Sequence, residues 1–356
     1  MRVHGLAVFP FVLAASSALA FQGFEPATNW SARYSDDEGW SSHPSYWRTI
    51  GFADLNRDDK ADVCGRGDKG IVCALSADTT FGPATVWTTG FRDADGWPSS
   101  ESFWATIQLA DVNGDGMADV CGRGSVGVAC ALSNGSSFHS LGLWTTDFSD
   151  TQGWGSDPSY WKTIKFPDVN GDGKADVCGR GAAGVSCALA RDDGRSFAPY
   201  TLWTSGFGYG WDASESYWGT LQFADVSGDG KADVCGRGEY GLLCAISKEV
   251  SFGLGVWWTD GFRDAYGWTN HPSNWATLQF PDLNNDEKAD VCGRGPSGFH
   301  CLLSTGNSFD GNGTPSGDYT DAQGWASSAS GWQTLQFQDL NNDKRADICG
   351  RASGGL

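Results

Sequence analysis

Apolar and polar positions alternate with a period of two in a short run that returns six times along the chain. In the second copy, Phe103-Trp-Ala-Thr-Ile-Gln-Leu, Ile107 and Leu109 fall on one face and Thr106 and Gln108 on the other. The pairs Ile50/Phe52, Ile164/Phe166, Leu221/Phe223, Leu278/Phe280 and Leu335/Phe337 repeat it. Such alternation predicts a half-buried strand, opened here by Phe103-Trp104. An aspartate-rich loop follows, then a short strand through Val120-Cys-Gly-Arg and a turn at Gly124-Ser-Val-Gly127. A third strand, Val128-Ala-Cys-Ala-Leu-Ser, and a last stretch from Phe138 to Phe148 carrying Trp144 complete the unit. Neither helical periodicity nor a helix-length apolar run interrupts it.

The interval is fixed. Asp54, Asp111, Asp168, Asp225, Asp282 and Asp339 are each 57 residues apart, and each opens Asp-x-Asn/Ser-x-Asp-x-x-x-Asp before (Val/Ile)-Cys-Gly-Arg. A constant period of this size marks an array of one supersecondary unit. Four short strands per unit predict an all-β fold, a β-propeller of at least six four-stranded blades forming one domain over 21–356. Closing the ring removes the exposed strand edges that a row of sheets would present. A solenoid of the same period is the alternative, but the terminal units lack the character of caps.

Cysteines recur nine residues apart across the glycine turn: Cys64/Cys73, Cys121/Cys130, Cys178/Cys187, Cys235/Cys244 and Cys292/Cys301. Residues facing each other in a hairpin are close enough to bridge, so five disulfides are expected. Zinc is disfavoured, because CxxC spacing and paired histidines are missing. Nine residues beyond Cys349 is position 358, past Leu356. Meanwhile Phe24-Glu-Pro-Ala-Thr-Asn-Trp30 copies Phe81-Gly-Pro-Ala-Thr-Val-Trp87. The N-terminus is therefore expected to supply the outer strand of the last blade. The natural chain is expected to run on, by about a dozen residues for six blades or about 57 for seven.

Composition adds compartment and charge. Residues 1–20 read as an export signal: Arg2, an apolar run from Leu6 to Leu13, then Ala18-Leu19-Ala20. A free N-terminal strand is the alternative. No later stretch is long enough to span a membrane. Secretion suits the cysteines and three glycosylation sequons, at Asn29, Asn134 and Asn312. The formal charge of -19 argues against a nucleic-acid partner.

The aspartate loops place oxygen ligands at positions 1, 3, 5 and 9. In order these are Asp54, Asn56, Asp58 and Asp62; Asp111, Asn113, Asp115 and Asp119; Asp168, Asn170, Asp172 and Asp176. The last three loops supply Asp225, Ser227, Asp229 and Asp233; Asp282, Asn284, Asp286 and Asp290; Asp339, Asn341, Asp343 and Asp347. With a backbone carbonyl at position 7 this is a hard, all-oxygen cage suited to a structural Ca²⁺. It is not an EF-hand, since position 12 carries no glutamate and strands flank the loop. Gly116, Gly173 and Gly230 ease the turn at position 6, where the other loops have Asp59, Glu287 and Lys344. Metal-free Asx turns are the alternative.

Eighteen tryptophans form three series. Trp47, Trp104, Trp161, Trp218, Trp275 and Trp332 open the first strand, and Trp30, Trp87, Trp144, Trp203, Trp257 and Trp258 lie on the last; both series read as core. Trp40, Trp97, Trp154, Trp211, Trp268 and Trp325 follow a glycine in a polar connection. A broad apolar face with a polar edge suits a sugar ring, so this series is the candidate ligand site. The alternative is that it plugs the wedge between blades. Arg66, Arg123, Arg180, Arg237, Arg294 and Arg351 could pair with the loop carboxylates, stack on tryptophan or donate to a ligand.

The phrase Asp-Val-Asn-Gly-Asp-Gly-x-Ala-Asp-Val followed by Gly-x-Gly resembles the FG-GAP/VCBS repeat of integrin-like propellers. The order Phe-x-Asp-Ala-x-Gly-Trp, first strand, aspartate loop, Gly-x-Gly-x-x-Gly and terminal Phe is similar to the fungal Psathyrella velutina lectin family, over residues 24–351. That resemblance implies a seven-bladed propeller with calcium loops and pockets for N-acetylglucosamine-type sugars between adjacent blades. Two features depart from it. Cys64, Arg66 and their repeats stand where the lectins have apolar residues, and the fourth unit has Phe207 where the others have Asp36, Asp93, Asp150, Asp264 and Asp321.

These readings converge on a secreted, monomeric, calcium-stabilised lectin whose partners are glycans or glycoproteins and whose repeated weak sites act by avidity. A protein-binding propeller of integrin-like type is the alternative. An enzyme is disfavoured, because uniform units leave little room for a unique catalytic group and the histidines share no arrangement.

Overall fold

A computed structural model describes residues 27–311 and 318–356. The export signal and Asn312 lie outside the described residues. The architecture is an all-β propeller of antiparallel sheets. The first unit pairs Gly51–Ala53, Asp62–Gly67, Gly70–Ala74 and Thr85–Thr88 in chain order; the second and fourth units repeat this four-stranded pattern. The third and fifth units form three-stranded sheets, and the sixth pairs only Gln336–Gln338 with Asp347–Cys349.

Proline explains two of the short sheets. The first strand of the third unit is reduced to a single bridge, Lys165 to Cys178, and that of the fifth to Gln279 with Cys292. Pro167 and Pro281 follow, where the first, second and fourth units have Ala53, Ala110 and Ala224. Each proline carbonyl still accepts from Asp176 or Asp290, at 2.7 and 2.6 Å, but proline has no N–H to return.

The first strand begins later than its alternation suggests. Glu101–Trp104 forms one helical turn, capped by Ser100 accepting from Ser102 N, and the strand covers only Gln108–Ala110. The same turn stands in every unit, so Trp47, Trp104, Trp161, Trp218, Trp275 and Trp332 close a turn instead of opening a strand. All six are buried as expected.

The five disulfides join residues directly opposite in register, such as Cys64 with Cys73 and Cys121 with Cys130. The others are Cys178–Cys187, Cys235–Cys244 and Cys292–Cys301. Cys349 is buried and is the one free cysteine among the described residues.

Neighbouring units are joined by one recurring set of contacts. The outer-strand Trp87 carbonyl accepts from Phe138 N of the next unit at 3.1 Å, and the two rings stack with centroids 5.4 Å apart. Trp144–Phe197, Trp203–Phe252 and Trp258–Phe309 repeat the stack. Ser133 Oγ donates to Leu55 O and Ala118 N to Asp54 O, at 2.8 and 2.7 Å. The N-terminal segment supplies a fifth copy: Trp30 packs on Phe81, and Trp30 N and Leu356 N bond to Leu356 O and Ser31 O. Ala61 N donates to Asp339 O, so the units close on themselves. One tryptophan departs from the core assignment. Trp258 aligns with Trp144 and is buried, whereas Trp257 aligns with Leu143 and is exposed.

Candidate functional site

The Cys-Gly-Arg arginines are fully buried, each 0–1% exposed. An arginine cannot shed its proton, so burial requires a full set of acceptors. Arg66 has one: Nε donates to Phe91 O at 2.6 Å, Nη1 to Ser45 Oγ at 3.0 Å, and Nη2 to Asp93 Oδ1. Arg123–Asp150, Arg237–Asp264, Arg294–Asp321 and Arg351–Asp36 repeat the pair. The guanidinium also sits over an aromatic ring, Tyr46 for Arg66, with its carbon 5.7 Å from the centroid. Of the three roles open to these arginines, pairing is the one observed, but with the aspartates of the connection and not with the loop carboxylates.

The fourth unit's departure also has a different origin from the one its numbering implies. Phe207 takes the place of Phe148, with its carbonyl accepting from Arg180 Nε at 2.6 Å and its ring 4.7 Å from Trp211. The connection beyond it is two residues shorter, offsetting two extra residues before Trp203, so the acid is deleted and not replaced. Arg180 Nη2 instead donates to Gly208 O at 2.9 Å.

Each arginine except Arg180 thereby fixes an aspartate at the protein surface. The Asp93 side chain is 41% exposed, and its second oxygen accepts from Tyr46 Oη at 3.0 Å. Beside it stand the Gly-Trp tryptophans. Trp40, Trp154 and Trp268 are buried, whereas Trp97, Trp211 and Trp325 are half-buried. Each packs on an aromatic residue, as Trp97 does on Phe91 at 4.5 Å. Their ring edges lie over the glycine of Cys-Gly-Arg, so a Cβ on Gly179 would stand 2.7 Å from Trp154. The series therefore fills space between sheet and connection, and its half-buried members also reach the surface. At Trp325 a cavity of about 270 Å³ opens, lined by Asp36, Gln323, Ser328, Ser330 and Arg351.

The aspartate loops lie apart from this site. Asp54 Oδ1 accepts from the N–H groups of Asn56, Arg57 and Asp58, and Oδ2 from Asp59. Positions 4 and 6 are both left-handed, as at Gly114 (φ 77°) and Gly116 (φ 84°). Non-glycine residues carry that strain in three loops, at Arg57/Asp59, Asn285/Glu287 and Asn342/Lys344. The position-9 carboxylate is buried: Asp119 accepts from Val112 N and Ser133 N at 3.1 and 2.7 Å. Burial, reinforced by Asp111 and Asp115, pushes its pKa up to about 7 against those hydrogen bonds; Asp176, Asp233 and Asp290 behave alike. In the third to fifth loops a lysine already pairs with the position-5 carboxylate, as Lys174 does with Asp172 at 3.0 Å. Among the described residues no three acidic, histidine or cysteine side chains converge as a metal site. The donors are nonetheless all oxygen, the chemistry that suits a hard cation.

Comparison with known proteins agrees with the fold. Residues 168–235 match the FG-GAP-like repeat family model. No curated protein matches the chain. Among solved structures, an Agrocybe aegerita lectin described in specific recognition of non-reducing terminal N-acetylglucosamine is 29% identical. It aligns over 85% of this chain and 73% of its own, with a TM-score of 0.63. The Photorhabdus luminescens Tc holotoxin pore aligns over 84% of this chain but 13% of its own, at 15% identity and a TM-score of 0.55, and shares the fold alone. No helix among the described residues is long and apolar enough to cross a membrane. Residues 168–235 thus match an FG-GAP-like repeat, within a propeller that resembles that of a fungal lectin.

Proposed function

We propose that the protein is a secreted carbohydrate-binding propeller, multivalent in a single chain and not catalytic. The observation that carries this reading is the similarity to the N-acetylglucosamine-binding lectin, sustained along most of both chains. The sugar sites would lie in the clefts between sheet and connection, where an arginine-fixed aspartate stands beside a half-buried tryptophan edge. An anchored carboxylate accepts from sugar hydroxyls and the tryptophan edge offers apolar contact. Trp97 and Trp325 are the candidates with both ring surface and such an aspartate, and Trp325 has a cavity beside it; Trp211 offers ring surface without the aspartate.

Calcium in the aspartate loops would be structural. Asp111, Asn113, Asp115 and Asp119 form the strongest candidate loop, because Met117 stands where four loops bring a lysine and the sixth brings Arg345. Bound there, the ion would neutralise a buried carboxylate and its two acidic neighbours.

A glycan array read with and without EDTA tests the reading. Signal on glycans ending in N-acetylglucosamine, reduced by Trp97→Ala, is the expected result. A folded protein silent on every glycan would overturn it.

One observation favours the protein-binding alternative. Val86, Leu143, Leu202 and Trp257 occupy one register position on successive outer strands and are all exposed. A row of apolar side chains along the rim suits a protein surface better than a sugar.

A further inference from the structure

A cavity of about 510 Å³ is lined by residues from the first-strand region of all six units and therefore lies on the ring axis. One register position meets it from every unit: Gly51, Gln108, Lys165, Gln222, Gln279 and Gln336. Three of the glutamines tie neighbouring units together. Gln108 Nε2 donates to Ile164 O at 2.8 Å, Gln279 Nε2 to Leu335 O at 2.6 Å, and Gln336 Nε2 to Ile50 O at 2.6 Å.

Lys165 is the exception. Its ammonium has no hydrogen-bond or ion-pair partner among the described residues, and no carboxylate lines the cavity. The other cation on the wall, Arg48, is already held by Glu101 at 2.6 Å. This is unexpected in a chain with 43 acidic and 24 basic residues, where an unpaired lysine would be expected to find an acid nearby. Lys165 is half-buried, and desolvation lowers its pKa from the ordinary value with no counter-charge to raise it. A desolvated charge of this kind is stabilised when an ion of opposite sign joins it.

We propose that the axial cavity binds a small oxyanion of the sulfate or carboxylate class, held by the Lys165 ammonium. Three of the four glutamine amides are committed to neighbouring carbonyls and none carries a charge, so the lysine alone supplies it. Selection is then by charge and size, and the walls exclude large anions. Cavity water solvates the oxygens that do not meet the lysine.

The test uses the full chain in chloride buffer, with sodium sulfate added at constant ionic strength and binding followed by calorimetry. Lys165→Gln installs the residue that four other units carry, and circular dichroism checks its fold. One sulfate per chain is expected for the unaltered protein, with at least tenfold weaker binding in the variant. No sulfate binding, or equal binding in both, overturns the proposal. Should the variant fail to fold, acylation of Lys165 in the unaltered protein by a succinimidyl ester, read by mass spectrometry, replaces it. Sulfate is expected to slow that labelling severalfold at Lys165 relative to exposed lysines, and uniform rates overturn the assignment.

Discussion

Arg351 and Asp36 stand 315 positions apart, yet they make the contact that Arg66 and Asp93 make across 27. The join between the two ends of the described chain thus has the chemistry of four other arginine–aspartate contacts, Arg180 being the exception. Asp36→Ala should cost about 1–3 kcal/mol, the penalty for leaving a buried donor unpaired. Urea denaturation should give a similar loss for Asp93→Ala. A midpoint unmoved by Asp36→Ala would show that the terminal segment does not hold the ring.

Calcium removal supplies the second prediction. A ligand at 100 times its dissociation constant stabilises by about 2.7 kcal/mol per site, so chelation should lower the melting temperature and added Ca²⁺ should restore it. Asp115→Asn should weaken the response more than Asp172→Asn, because Lys174 already neutralises Asp172. Identical melting curves with and without EDTA would remove the metal from the account.

Replacing both Cys121 and Cys130 by serine should destabilise the protein by about 2–3 kcal/mol, the chain-entropy value for so short a loop. Scanning calorimetry under oxidising conditions would measure it, and no change would mean that the hairpin register stands without the bridge.

The Gly-Trp tryptophans should divide by burial. Trp154→Ala removes a buried ring and should cost about 3–5 kcal/mol. Gly179→Ala presses a methyl against the same ring and should cost about 1–3 kcal/mol. Trp97→Ala should cost less stability and more glycan binding. If Trp154→Ala and Trp97→Ala lower the melting temperature equally, burial is not what separates the series.

Local pattern explains what could be read from the sequence. The second and third strands, the hairpin bridges and the interval itself all depend on neighbours within a few residues, and Cys64 faces Cys73 as their spacing implies. The turn Glu101–Trp104 escaped because four residues are too few for helical periodicity to register. Trp257 reads as core with Trp258 from composition alone, but adjacent side chains of a strand point to opposite faces, and only Trp258 is buried. The partner of Arg123 was obscured differently. Loop acids recur with the same interval as Asp150, so spacing alone cannot choose between them, and complete burial of the guanidinium decides for the acid that can complete its acceptors.

The stack of Trp87 on Phe138, copied from unit to unit, also bears on how such a ring could change size. Four copies carry both halves of the junction, the phenylalanine received and the tryptophan offered, at Phe81/Trp87, Phe138/Trp144, Phe197/Trp203 and Phe252/Trp258. Duplicating or deleting one of these four in a gene leaves the junctions on either side of it with their complements.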